Sequence, residues 1–552
     1  MPLIGLIYNV AGSAALSGHE WRSKGDGGSK LLNTRIPQIR NQTLIGAGLF
    51  IFAIWAAWQA GNEVASDNIK VLEFVALGFA VCAIGLAILR SWRTGFYFFL
   101  VWMLFEDMAR KYMGNNLALF FGKDILLLLV YVSFFRDVRL GRAKSFRPPF
   151  MLFLGLFLWL GLLEVFNQNS PSILYGLLGM KTYFYYIPLM FVAYALIQSD
   201  QDLRKFLVVN IVLAGVIGGL GIAQAVLGNS FLNPTTLAPE LQDLGDLSKI
   251  SPLSGQVFNL PTSVFVSAGR FATYLIPASI LVMGTAAYLI LHTKQHRKLV
   301  FVVLGALGVA SLLSGSRTAS GFVASSALAL SAGFLWGAPW RQQQGHRLVK
   351  VLRRSFIVGA LGLAAAFLIF PEQAGSRLAY YTETLNPESS AYQGTARTWD
   401  YPMANFEKAL ENPHWAIGNG IGTASLGTQY VDKLVGQRPL YGVESGFGTM
   451  IIEMGIVAPM LWILWTGAVL YSIWKVVRSL RETRMFPIAF AFLWYAFLLF
   501  YPLTFLSIAV YENFVCNIYL WIFVGVVFRL PQLLKAPAVV PSAGRPAEVL
   551  AG

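Results

Sequence analysis

Long apolar runs separated by short polar or basic stretches recur along the chain, at 43–61, 70–90, 94–107, 117–135, 149–166, 182–198, 205–227, 271–292, 299–315, 318–337, 355–370, 446–474, 486–506 and 511–528. Most approach the roughly 17 to 25 residues that an α-helix needs to cross a bilayer. The pattern therefore predicts an all-α polytopic membrane protein with about fourteen transmembrane helices. The run 94–107 is the shortest and ends in Glu106 and Asp107, which leaves an interfacial or re-entrant segment open as an alternative to a full span.

One long polar interruption, from Pro371 to Glu444, breaks this alternation. It divides the chain into an N-terminal tail (1–42), a first bundle of about eleven helices (43–370), the loop (371–444), a second bundle of about three helices (445–530) and a Pro/Ala-rich tail (531–552) with little that can pack. Residues 1–18 lack the basic leading segment of a signal peptide and read as part of a cytosolic tail. Within the loop, Trp399, Met403, Phe406 and Leu410 recur at helical spacing across 397–415. They predict an amphipathic helix, ended by Asn412 and Pro413, that lies on the membrane surface. The segment 228–270 carries Pro and Gly punctuation and reads as irregular structure with one short helix.

Composition agrees with the pattern, because 56% of residues are hydrophobic and only 12% are charged, about half the share of soluble chains. The net charge of +15 changes the picture only by orienting it. With the amino terminus cytoplasmic and fourteen spans, the basic runs Arg136–Arg147 and Arg341–Arg354 both fall inside, and both termini are cytoplasmic. Basic loops of this kind touch anionic lipid headgroups, and no nucleic-acid signature accompanies them. Cys82 and Cys516 sit in apolar runs as small hydrophobes. The histidines are scattered, with no metal-ligand spacing.

On this topology the long loop shares the outer side with the SGSRT turn (314–318) and with Arg270 at a helix start. An arginine at a helix end is costly in the outer leaflet unless it is paired or reaches water. Arg270, Arg317 and Arg397 therefore read either as snorkelling side chains or as an anion site, whose guanidinium forks match phosphate oxygens. Glu444 has two readings, a general base beside that site or a carboxylate capping the helix that begins near Ser445. His414, Ser445 and Glu453 are candidate accessory residues. The glycines of IGNGIGTASLG (417–427) lack the strand that precedes a phosphate cradle and read better as a tight turn. Glu73, Asp124 beside Lys123, Glu164 and Glu512 are further costly charges within apolar runs.

Three segments, LLSGSRTASG (312–321), GTARTWDYPMANFEKALENPHWAIGNGIG (394–422) and YGVESGFGTMIIEMGIV (441–457), together resemble the O-antigen ligase and O-antigen polymerase superfamily of bacterial envelope glycosyltransferases. GLLGMKTYFYYIPLMF (176–191) and GRFATYL (269–275) extend the likeness, which covers the chain from about Phe121 onward. The resemblance implies a GT-C-like fold in the bacterial inner membrane, with the long loop and the active site periplasmic. It implies inverting transfer of a glycan from undecaprenyl diphosphate to an acceptor sugar, with no metal, nucleotide or other cofactor. Arg270, Arg317 and Arg397 would bind the diphosphate and Glu444 would take the acceptor proton. A flippase and a chain-length regulator are the protein partners that such an enzyme would meet. Many ligases of the superfamily carry His-Asn where this chain has Glu444-Ser445, so the resemblance leans toward a repeat-unit polymerase for O-antigen or exopolysaccharide. The alternatives are a ligase that transfers polymer to a lipid A-core or protein acceptor, and a polytopic flippase or transporter of lipid-linked sugars. Against the transporter, the signals gather at one face and not at the midplane.

Overall fold

The structure is a computed structural model that describes residues 83–114, 117–234, 247–292, 297–337, 371–436 and 443–535, with single positions at 353, 357, 364 and 368. The expected spans 43–61 and 355–370, most of 70–90, the N-terminal tail and the carboxyl tail beyond 535 lie outside the described residues.

Two compact units divide the chain, residues 1–99 with 124–135 and residues 100–123 with 136–552. In the first, Trp92 meets Phe134 edge-on at 5.2 Å and Ser133 Oγ donates to the Leu89 carbonyl. The second unit holds the remaining described helices, and helix Trp92–Met113 belongs to it from Leu100 onward.

The described chain is mostly helical, and six of its helices are long and apolar enough to cross a membrane: Asp200–Leu227, Ala268–Leu289, Arg317–Gly337, Val457–Ser479, Phe486–Leu506 and Phe514–Lys535. Their burial differs sharply. Phe514–Lys535 is almost wholly enclosed, whereas Arg317–Gly337 leaves most of its surface open, as a lipid-facing helix would. The enclosed helix is held by shape and by polar pairs. Phe523 stacks on Phe492 at 3.9 Å, Trp521 lies parallel to Trp465, and Tyr519 donates its hydroxyl to Asn210 Oδ1. Asn517 donates to the Thr182 carbonyl, so two of the polar side chains that an apolar core would penalise bond to neighbouring helices.

Several expected spans are subdivided. Around 182–198 the helix Ile173–Phe184 stops and Leu189–Leu196 begins after Pro188; between them Ile187 N bonds to Phe184 O and Leu189 N to Tyr186 O. A proline has no N–H to continue the helical ladder, and three-residue turns carry the chain past it. The run 446–474 is likewise two helices, Gly446–Met454 and Val457–Ser479, separated at Gly455, whose φ of 73° breaks the right-handed path. At 94–107 a single helix, Trp92–Met113, runs past the two acids. Both acids find cationic partners, described below.

The loop after Pro371 is largely helical, with Pro371–Leu385, a π-helical turn at Ala396–Asp400, Tyr401–Leu410 and Thr428–Val435. Helix Tyr401–Leu410 ends before Asn412 and Pro413. Its buried residues are Pro402, Asn405 and Ala409, and Ala409 packs with Ile451 and Ile452 of helix Gly446–Met454. Trp399 and Leu410 stay exposed. In the middle loop, residues Ser248–Ile250 and Val257–Asn259 form an antiparallel hairpin, with Lys249 opposite Phe258.

Helix Gly446–Met454 starts hard against the 504–508 segment: a Cβ on Gly446 would stand 1.7 Å from the Thr504 carbonyl oxygen. Gly446→Ala is expected to cost about 1 to 3 kcal/mol of stability through this overpacking. Thermal unfolding in nanodiscs would show it, and an unchanged melting temperature would mean that the contact yields.

Candidate functional site

A cavity of about 200 Å³ opens where helices Ala268–His292 and Arg317–Gly337 begin. Gly269 and Thr273 line it from the first, Thr318 from the second, Ser314 and Ser316 from the turn before the second, and Lys249 reaches it from the hairpin. No acidic side chain lines it. The SGSRT sequence builds its rim locally: Gly315 takes a φ of 66°, Ser314 Oγ accepts from Ser316 N, and Ser316 Oγ accepts from Ala319 N as a helix cap. Two helix N-termini and an ammonium give the cavity positive potential, suited to an anion.

The three arginines fall in two neighbourhoods. Arg317 donates from Nη2 to Gln393 Oε1 at 3.0 Å and lies over the Tyr380 ring, while its Nη1 is buried without an acceptor among the described residues. Arg397 joins the same segment, its backbone N–H donating to the Gln393 carbonyl; its exposed guanidinium covers the Tyr401 ring. Arg270 lies elsewhere, its Nη1 2.8 and 2.7 Å from the two Asp107 oxygens.

That pairing belongs to a buried charge cluster. Asp107 also accepts from Arg110 Nη1 at 2.9 Å, and Arg110 Nη2 donates to the Tyr430 hydroxyl in the long loop. Lys123 bonds to Glu106 at 3.0 Å, and Lys111 donates to Thr262 Oγ1 and the Ser263 carbonyl. Four cations thus stand with two carboxylates. Sequence reading missed Arg110, Lys111 and Lys249. Only the cost of placing Glu106 and Asp107 at the end of an apolar run pointed toward the cluster, and nothing in the pattern singled out Lys249.

Glu444 is exposed, and its backbone N–H donates to Asn405 Oδ1. Ser445 provides the cap of helix Gly446–Met454, its Oγ accepting from Gly448 N. Of the two readings of Glu444, the capping role therefore passes to its neighbour, and the carboxylate stays in solvent. His414 is exposed on the turn after Asn412.

Glu453 is fully buried, and with Glu512 it explains the glycine run. Glu453 Oε1 accepts from Ala424 N and Ser425 Oγ, and Glu512 Oε2 accepts from Leu426 N. Gly418, Gly420 and Gly422 all take left-handed φ values and bring the loop against these acids. The N–H groups that a phosphate cradle would offer to a ligand are here given to the protein's own carboxylates, and the segment is a tight turn.

Both acids lie outside the six membrane-length helices. Burial raises each carboxyl above the ordinary glutamate value of 4.5, and for Glu512 the neighbouring Glu453 charge adds to the rise. The folded state therefore binds more protons than the unfolded chain above pH 4.5. The stability contributed by the pair is complete below that value and is lost as pH rises through the elevated range. Thermal unfolding should show the wild type losing more stability than Glu512→Gln between about pH 5 and pH 8. Parallel pH profiles would show that the pair does not titrate in this way.

No family model, curated protein or solved structure matches the chain, so the chemistry of this cavity and loop rests on their own residues.

Proposed function

We propose that the chain is a membrane glycosyltransferase that moves a glycan from undecaprenyl diphosphate to an acceptor sugar with inversion, as the repeat-unit polymerase of an envelope polysaccharide. The observation that carries this reading is the cavity free of acidic lining, set between two helix N-termini and edged by Lys249. Such a site suits a diphosphate whose charge grows as the glycosyl bond breaks. The resemblance of the SGSRT, RTWDY and YGVESG segments supports the reading. So does the bond from Arg317 to Gln393, which lies one turn of chain before Arg397. A GT-C-like arrangement of about fourteen spans, with the loop on the periplasmic side of a bacterial inner membrane, belongs to the same proposal.

In this mechanism the acceptor hydroxyl attacks the anomeric carbon from the face opposite the diphosphate. The C–O bond to the carrier breaks, and the proton passes to the Glu444 carboxylate. Arg317 and the helix N-termini receive the charge that the diphosphate gains. Arg270 contributes through the Arg110–Asp107–Arg270 group, in which two guanidiniums face one carboxylate and leave an excess of positive charge.

The glycans of a host strain lacking only this gene test the reading. Single repeat units on the carrier, with long polymer absent, are expected; long chains held on the carrier would point to a ligase, and normal glycans would remove the transferase reading. In purified protein Glu444→Gln should slow transfer roughly 10²- to 10⁴-fold with unchanged membrane insertion. Near-wild-type turnover would take Glu444 out of the base role. Arg317→Ala removes one charge-assisted contact of about 1.5 to 3 kcal/mol and should weaken apparent donor affinity as well as rate; an unaltered donor KM would count against its phosphate contact.

A further inference from the structure

Two π-helical turns occur among the described residues, Ala396–Asp400 and Leu499–Leu503. Such turns are rare in proteins and concentrate at functional sites. Here both lead to one aromatic contact. The first presents Trp399, which is 61% exposed in a segment where every residue is exposed. The second contains Pro502 and ends at Leu503, a lining residue of the cavity, two positions before Phe505. The Trp399 and Phe505 rings lie 5.5 Å apart at 39°. Phe447 lies 6.3 Å from Phe505 and follows Glu444 by three positions. Arg397, Asp400 and Glu444, all exposed, supply charged groups on the segments that carry these rings.

We propose that Trp399, backed by Phe505 and Phe447, is the platform on which the acceptor saccharide stacks. A pyranose has an apolar C–H face and a rim of hydroxyls. The negative face of an indole attracts the first, and charged side chains at its border bond the second. The platform continues to the cavity through Leu503, and to the base through the start of helix Gly446–Met454, so a sugar lying on it is held between the two. The assignment to the acceptor rests on the transferase reading; the binding of a glycan at Trp399 does not.

The full-length protein in nanodiscs, applied to a printed array of bacterial surface oligosaccharides, tests the site. Wild type and Trp399→Phe should bind the same subset of sugars, and Trp399→Leu, which keeps apolar bulk without a π face, should bind them about tenfold more weakly. Thermal melts of the exposed-site variants control for folding. Absence of glycan binding, or equal binding by Trp399→Leu, overturns the platform; loss of vesicle affinity in that variant with glycan binding intact would assign the indole to the lipid interface. A transfer assay with lipid-linked donor separates the two proposals. Trp399-dependent glycan binding without transfer by the wild type would leave the platform and remove the transferase, whereas transfer with an acceptor KM unchanged in Trp399→Leu would do the reverse.

Discussion

Asp107 is the point on which the arrangement of the site depends. It is buried at 1% exposure and holds the guanidiniums of both Arg110 and Arg270, and Arg110 in turn reaches Tyr430. Three parts of the chain that are distant in sequence, helix Trp92–Met113, helix Ala268–His292 and the long loop, thereby meet through one carboxylate. Taking such charges out of water is expensive, and hydrophobic side chains of equal size would often hold the same helices at lower cost. What the ionic contact adds is direction. A guanidinium at 2.7 to 2.9 Å from a fixed oxygen sets the rotation of its helix more narrowly than apolar packing does. The rotation of helix Ala268–His292 decides whether Gly269 and Thr273 line the cavity, so the ion pair acts on the site from one residue away.

The long loop is fixed by the same device with the opposite sign. Glu453 accepts from the Ala424 N–H and the Ser425 hydroxyl, and Glu512 from the Leu426 N–H. Helix Tyr401–Leu410 lies by its small residues along helix Gly446–Met454, and Asn405 bonds to the backbone of Glu444. Much of the polar loop is thus tied to the helix ends, and the side chains of Arg397, Trp399 and Glu444 are among those it leaves exposed. Firm support beneath a small set of free side chains is what binding and transfer require of a loop.

The helical, membrane-embedded character of the chain was legible in its apolar runs because the bilayer demands both length and continuous hydrophobicity. The interruptions inside those runs were less legible. Pro188 and Gly455 are each compatible with an unbroken membrane helix, and their turns depend on the neighbours that accept the freed backbone groups. The amphipathic period at 397–410 was visible, and its Phe406 does pack against helix Gly446–Met454, but the residues buried most deeply in that contact include Asn405 and Ala409, while Trp399 and Leu410 stay exposed. Close helix approach selects small side chains, which a search for large apolar ones passes over. At the site, sequence order suggested three convergent arginines; Asp107 lies 163 positions from Arg270 and Gln393 lies 76 from Arg317, so nothing local paired them. Lys249 illustrates the same limit, since a lysine in a mixed-charge loop acquires meaning only when a hairpin brings it to a cavity.

The separation of Arg270 from Arg317 bears on the electrostatics of a leaving diphosphate. An arginine bonded to a buried carboxylate keeps its geometry but has most of its field cancelled at close range, whereas Arg317, among the described residues, has Nη1 without an acceptor and the neutral Gln393 on Nη2. Donors that are already oriented, and not already satisfied, stabilise developing charge most, because they need no rearrangement when the charge appears. By that criterion the least compensated donors are Arg317 and, edging the cavity, Lys249, whereas the Arg270 and Ala319 N–H groups at the two helix starts are already given to Ser267 and Ser316. The Asp107 cluster supplies their placement and a weaker positive background. In a site with this division a neutral substitution at a background cation acts through the helix placement that its ion pair sets, and one at the oriented donors acts on the field itself.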